Sequence, residues 1–403
     1  MGFSIDNIRA QFPFINQNNP LVYFDNAATT QKPQNVLDTI KDYYYLQNSN
    51  IHRGVHKTSQ LATDLFEDSR QSTANFINAA HSHEIIFTSG TTASINLLSH
   101  CLSLFTLKKG DEVLVSQMEH HSNIVPWQLA CEQKGAIIKV IPFNKKGELC
   151  HDQLDALLSE KTKIVAINHA SNSLGTINNI KMIASKVHAV GGVLVVDGAQ
   201  AAPHIKIDVR DMDCDFYCFS AHKMYGPTGV GVLYGKENWL EKMPPYQGGG
   251  EMIKDVSFKK TTFAELPHKY EAGTPNIAGV IGFKKALDFI SSIGYSEIEQ
   301  HEQLLLDYAE KELEKLGCVF YGRSNKRVSL LSFLFEKIHH YDFGVILDNL
   351  NIAVRTGHHC TQPVMGFYGI PGTVRASFAV YNTIEEIDFF ITACIKAKKM
   401  LAE

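Results

Sequence analysis

No apolar run in this 403-residue chain approaches the roughly 20 residues that a membrane-spanning helix needs. The first residues, Met1-Gly2-Phe3-Ser4-Ile5-Asp6, lack a basic stretch followed by an apolar one, so a secretory leader is not expected. Excess charge is also missing. Lys and Arg number 38 against 42 Asp and Glu, a net charge of −4, which gives no basis for binding nucleic acid or an anionic membrane. Cysteine is sparse: eight residues, with no C-x-x-C pair. That excludes a disulfide framework and suits a reducing compartment, so the expected location is the cytoplasm. No internal repeat or low-complexity tract interrupts the chain.

What is present is a long alternation of short apolar runs and amphipathic segments between Glu84 and Val232. The runs around Ile85, Val113, Ile138, Val165, Val195, Phe216 and Val232 read as strands. They are apolar without alternation, as in a sheet covered on both faces. The helical segments between them predict βαβ crossovers and a mostly parallel seven-stranded sheet. From about Tyr295 the pattern changes. A helix stopping at Gly317, a strand over Val328–Phe335, a helix over Asp342–Leu350, a strand over Ile352–Arg355 and a capping box at Thr383-Ile384-Glu385-Glu386 describe a smaller α+β unit. The expected division is a large α/β domain over 16–290 and a small α+β domain over 291–403, with residues 1–15 packed on it.

Chemistry concentrates at the strand ends. Asp197 closes the run Val193-Leu194-Val195-Val196, and Lys223 follows in Ser220-Ala221-His222-Lys223-Met224. An amine able to form a Schiff base and a buried carboxylate able to keep a pyridine nitrogen protonated are complementary toward pyridoxal 5'-phosphate (PLP). Gly90-Thr91-Thr92 sits between a strand and a helix start, where free N–H groups face an anion. Ser220 and His222 are further phosphate donors. His120, in Glu119-His120-His121, is placed to lie on the ring and move protons. Asn172 and Gln200 are candidates for the phenolic oxygen of such a ring. Arg375 offers a guanidinium fork to a substrate carboxylate.

Cys360 lies in Arg355-Thr356-Gly357-His358-His359-Cys360-Thr361-Gln362-Pro363. A cysteine in a Gly- and Pro-bounded loop, beside histidines and an arginine, is expected to be exposed and biased toward thiolate. Two other readings stand beside this. One is metal ligation by His358, His359 and Cys360 with His339 and His340, although adjacent ligands are poor spacing for a tetrahedral zinc site. The other is a merely structural cysteine.

Together these motifs resemble the group II, SufS-type cysteine desulfurases, which are PLP enzymes of the class V aminotransferase family. The likeness runs from Phe12-Pro13 to Tyr381-Asn382. It includes His52-Arg53-Gly54, Gln117-Met118-Glu119-His120-His121, Val196-Asp197-Gly198-Ala199-Gln200, Ala221-His222-Lys223-Met224-Tyr225-Gly226-Pro227, Gly273-Thr274-Pro275 and Arg355-Thr356-Gly357-His358-His359-Cys360. The resemblance implies a PLP fold type I homodimer. Lys223 would be the Schiff-base lysine, Asp197 the pyridinium partner and His120 the stacking residue. Thr91, Thr92, Ser220 and His222 would hold the phosphate, with Thr274 contributed by the neighbouring subunit, and Gln200 would meet the phenolic oxygen. Asn172 and Arg375 would bind the substrate, with His52 and Arg355 beside Cys360, the sulfur acceptor. The implied reaction takes L-cysteine to L-alanine and leaves a persulfide. A small SufE-like or SufU-like acceptor protein and a cluster-assembly scaffold are the implied partners, with selenocysteine as a second substrate. Ala93-Ser94 departs from the Glu-Gly or Glu-Ala of many relatives and bears on a subunit contact. An ordinary class V aminotransferase or lyase would have no use for Cys360, and a non-catalytic sulfur-relay scaffold would have none for Lys223.

Overall fold

The computed structural model describes residues 4–17 and 21–402, the last of these for its backbone alone. Residues 1–3 of the N-terminal stretch expected on the small domain lie outside the described residues.

The expected seven-stranded sheet is present. In spatial order its strands are Ile85–Thr88, Gly231–Gly235, Phe216–Ser220, Val193–Asp197, Thr162–Asn168, Glu112–Ser116 and Ile137–Ile141. Gly231–Gly235 runs against both its neighbours, and the other strands are parallel to one another. The apolar runs explain themselves once the faces are traced. Leu114, Val165, Leu194, Val196, Tyr217 and Phe219 pack into one core, while Val113, Val115, Ile164, Val193, Val195, Phe216 and Cys218 pack into another. Alternate side chains point to opposite faces, and both faces are covered, so both sets must be apolar. Cys214 and Cys218 are fully buried, as their surroundings in the sequence suggest.

A second, antiparallel sheet lies in the C-terminal part, ordered Val319–Tyr321, Leu330–Leu334, Thr373–Ser377, Arg355–Gly357. Leu305, Leu313, Leu347, Ile387 and Phe390 from three helices close its core with Leu331, Phe333 and Val374. The last helix opens as expected: Glu386 N donates to Thr383 Oγ1 at 3.2 Å and Thr383 N to Glu386 Oε2 at 3.2 Å.

The strand expected over Ile352–Arg355 is split. Ile352–Ala353 pairs in parallel with Val22–Tyr23, whereas Arg355–Gly357 pairs antiparallel with Thr373–Ser377. A run of strand-forming residues does not reveal that its partner changes halfway. Val22 and Phe24 consequently pack into the C-terminal core, so the N-terminal side of the large unit lends it a strand. A hairpin of Ile253–Val256 and Thr261–Phe263 was not expected either; mostly exposed on both faces, it has no apolar alternation to betray it.

Candidate active site

Parallel strands deliver their last residues to one edge of the sheet, where ligands bind in folds of this kind. Here that edge and the C-terminal sheet enclose a cavity of about 190 Å³. Asp197 ends its strand and Ser220 the next, with Lys223 in the short turn that follows. His120 begins the turn beyond Glu112–Ser116. Arg355 and Arg375 reach in from the C-terminal sheet. Thr91, Thr92, Asn172, Gln200 and His222 also line the cavity.

Electrostatics set Lys223 and Asp197 against each other. Burial pushes the Lys223 amine down to about 8; Arg375 and Arg355 push the same way, and Asp197 and Cys360 oppose them. Burial also raises the Asp197 carboxyl, against the Ala199 N–H that it accepts at 3.0 Å and against Lys223. A buried carboxyl held up in this way favours a cationic partner. His120 is pushed down to about 3, chiefly by burial and then by Lys223, so its ring is neutral near pH 7. Its Nδ1 accepts from Ser122 N at 3.1 Å, which leaves the ring proton on Nε2.

An anion cradle stands at one end. Gly90, at φ 152°, precedes the helix Thr91–Thr106 and gives it no side-chain cap. Thr91 N donates to Ser220 Oγ at 2.8 Å, and Thr91 Oγ1 lies 2.7 Å from the same oxygen. A Cβ on Gly231 would come within 2.4 Å of Gly90, so bare backbone is required there. Uncapped N–H groups and three hydroxyls fit a phosphate.

Buried polar atoms without partners mark where a ligand is wanted. Gln200 Oε1, Arg375 Nε and His359 Nδ1 are all of this kind, and all three residues line the cavity. Arg375 is otherwise fixed: Nη1 donates to the Asn172 carbonyl at 2.8 Å and Nη2 meets Asp25 Oδ1 at 3.0 Å. The cradle, the Lys223–Asp197 pair and the orphaned Gln200 oxygen fit a phosphorylated pyridine aldehyde.

Cys360 is half-buried at the edge of this cavity, between two residues that line it. Arg355 Nη2 lies 3.9 Å from its Sγ. His359 and Cys360 both take left-handed backbone, at φ 52° and 57°. Such residues cost about 1–3 kcal/mol each and persist where neighbours hold them. Here Asn172 Nδ2 donates to the His359 carbonyl at 2.7 Å and His121 N to the Cys360 carbonyl at 2.8 Å. The zinc reading finds no support in this geometry. His358 Nδ1 accepts from Cys360 N, and His359 Nε2 faces Thr373 Oγ1, so these rings serve the loop.

Two expected residues lie elsewhere. His52 Nε2 meets Glu67 Oε1 at 3.0 Å, and its ring stands edge-on to His268 at 4.7 Å, away from the cavity. Among the described residues, His52, Glu67 and His268 form the cluster with metal-ligand spacing, but Arg70 already holds both oxygens of Glu67. Thr274 is exposed and does not line the cavity of its own chain. Sequence reasoning missed Asp25 as the anchor of Arg375, 350 positions away, where no local signal exists. It also passed over the role of Glu119, a buried carboxylate that accepts from Asn123 Nδ2, Asn168 N and Asn168 Nδ2 and so fixes the strand end beside Asp197. A carboxylate directly after an apolar strand was the available clue.

Comparison with known proteins agrees with this geometry. The model of the class V aminotransferase family matches residues 22–390. A probable cysteine desulfurase of Halalkalibacterium halodurans is 49% identical over 396 residues, covering 97% of each chain. A cysteine desulfurase of Shigella sonnei is 45% identical over 406 residues, covering 100% of each. Among solved structures, the Escherichia coli cysteine desulfurase CsdA, in an S-sulfonic acid form, superposes with a TM-score of 0.93 at 40% identity, over 99% of this chain and 100% of that one. The apo cysteine desulfurase of Thermococcus onnurineus gives 0.95 at 37% identity with the same coverage. The chain belongs to the class V aminotransferase family.

Proposed function

We propose that this chain is a PLP-dependent cysteine desulfurase that converts L-cysteine to L-alanine and takes the sulfur onto Cys360. The observation that carries the reading is the placement of a half-buried thiol, 3.9 Å from Arg355, at the edge of a cavity that holds Lys223, Asp197 and His120. A plain aminotransferase needs the cavity but not the thiol, and a sulfur-relay scaffold needs the thiol but not the cavity.

The bound cofactor would supply an electron sink for bonds at the amino-acid Cα. Thr91, Thr92, Ser220 and His222 would hold its phosphate, Asp197 its pyridine N–H, and His120 its ring face. Arg375, with Asn172 beside it, binds the substrate carboxylate. Lys223 Nζ, partly neutral near pH 8, takes the Cα proton. His120 Nε2 is placed to carry a proton in the enclosed site. Cys360 Sγ then forms a bond to the substrate sulfur as the carbon–sulfur bond breaks. The carbon keeps the electron pair and is protonated, so cysteine and thiol become alanine and persulfide with no outside oxidant.

Further parts of the proposal rest on the resemblance. Two chains form a homodimer in which Thr274 of one completes the phosphate site of the other, and His52 belongs to the surroundings of that shared site. The large domain covers 16–290 and the small one 1–15 with 291–403. A small SufE-like or SufU-like protein accepts the persulfide for iron–sulfur cluster assembly in the cytoplasm, and selenocysteine is a second substrate. Among the described residues no helix is long and apolar enough to cross a membrane.

Mass spectrometry after exposure to cysteine tests the core claim. The expected result is one added sulfur on the peptide containing Cys360, absent in Cys360→Ser. Undiminished alanine production by Cys360→Ser would overturn it.

A further inference from the structure

Behind the cavity, buried polar residues form a chain that the proposed mechanism leaves unused. Gln200 Nε2 lies 3.2 Å from His204 Nε2, and His204 Nδ1 lies 2.6 Å from Glu302 Oε2. Gln200, His204 and Glu302 are 3%, 4% and 3% exposed. Gln200 lines the cavity, and its Oε1 has no partner. Glu302 belongs to the helix Tyr295–Lys315, so the chain runs from the cavity wall into the C-terminal part. The turn carrying His204 is tied to that helix a second time, by Tyr295 OH donating to the Ala202 carbonyl at 2.6 Å.

The hydrogen-bond roles along this chain are coupled. With Gln200 Nε2 facing His204, the imidazole Nε2 must accept. The ring proton then sits on Nδ1 and is donated to Glu302 Oε2. Gln200 in consequence turns its carbonyl oxygen, not its NH₂, away from His204. A carboxylate behind a histidine commonly fixes a tautomer in this way. The other titratable groups around Glu302 are Glu299 and the phenols Tyr225, Tyr295 and Tyr381. The hydroxyls of Tyr295 and Tyr381 donate elsewhere, to Ala202 and Asn26.

We infer that His204 and Glu302 are positioning residues: by fixing one imidazole tautomer they fix the amide orientation of Gln200, and so decide whether an acceptor or a donor faces the phenolic oxygen of the cofactor. The inference rests on the PLP reading for its last link only; the tautomer and the amide orientation are properties of the chain alone. A carbonyl at the phenolic oxygen disfavours its anion, whereas an N–H favours it. That oxygen shares a proton with the Schiff base, so the choice sets the pH at which the loaded protein changes colour.

Glu302→Gln separates the links. The new amide can donate to His204 Nδ1, which moves the ring proton to Nε2 and turns the Gln200 NH₂ toward the cavity. Nitrogen-15 NMR of the cofactor-free protein should report an Nδ1–H tautomer for His204 in the wild type and Nε2–H in Glu302→Gln. In the loaded protein, the midpoint of the visible absorption change should fall by about one pH unit, roughly tenfold in the proton equilibrium. On a Gln200→Met background the same substitution should leave the midpoint where it was, because the amide that transmits the effect is gone. An unchanged tautomer, an unmoved midpoint, or an equal shift in Gln200→Met would each overturn the inference. A wild-type protein that takes up PLP without a visible band would instead sink the cofactor reading, and the tautomer measurement would still decide the role of Glu302.

Discussion

Arg355 stands directly opposite Arg375 across the antiparallel pair of the C-terminal sheet, and both side chains line the cavity. Their tethers differ. Arg375 is pinned by Asp25 and the Asn172 carbonyl, whereas Arg355 reaches toward Cys360 Sγ. The first is built to hold a carboxylate still, and the second to accompany a thiol. Arg375→Lys should raise KM for cysteine at least about tenfold, since a point charge cannot replace the guanidinium fork. Arg355→Lys should instead slow formation of the Cys360 persulfide with a smaller change in KM. Steady-state and single-turnover kinetics separate the two, and identical profiles for both variants would refute the division.

The loop that carries Cys360 is held in left-handed backbone by the donation from Asn172 Nδ2 to His359. Asn172→Ala removes that restraint. Alkylation of Cys360 by iodoacetamide should then quicken several-fold in the cofactor-free protein. Cys101, buried in the core, serves as the internal control and should not react faster. Equal rates for wild type and variant would show that other contacts suffice.

Lys223 gives the cofactor-free protein a pH-dependent weakness. Its amine is held near 8, below the ordinary lysine value, so the native state binds fewer protons than the unfolded chain between about pH 8 and 10.5. The contribution of this group is therefore unfavourable below pH 8, eases as the pH rises, and is gone above 10.5. Lys223→Met should be more stable than the wild type at pH 7 by up to about 3 kcal/mol. The gap should close toward pH 10.5 in urea titrations of both proteins. A gap that widens with pH would contradict the assignment.

Arg70 joins three segments around the helix Lys57–Phe76. It donates to Glu271 through both Nη atoms, at 2.7 and 2.8 Å, and to the Ile85 carbonyl at 2.8 Å, and it is 1% exposed. Glu271 Oε1 also accepts from Phe87 N at 2.7 Å. Removing one member strands a buried charge, so Arg70→Met should cost about 3–5 kcal/mol in chemical denaturation. The double substitution with Glu271→Leu should recover part of that loss. A loss below about 1 kcal/mol in the single variant would mean that water replaces the pair.

The sequence by itself determined the sheet and the chemistry at its edge. Continuous apolar runs can be satisfied only by a sheet covered on both faces, and the residue after each run is then delivered to one edge; this is why Asp197, Ser220, Lys223 and His120 could be named together. The capping box at Thr383 was legible for the same local reason. Tertiary structure alone decided the rest. It brought Asp25 to Arg375, split the strand at Val354 between two sheets, and placed Glu302 behind His204, since pairings between residues far apart in the chain leave no periodicity to read. It also removed His52 and Thr274 from the cavity of their own chain. Proximity in a motif fixes chemical type, but only the packed fold fixes which surface a side chain meets.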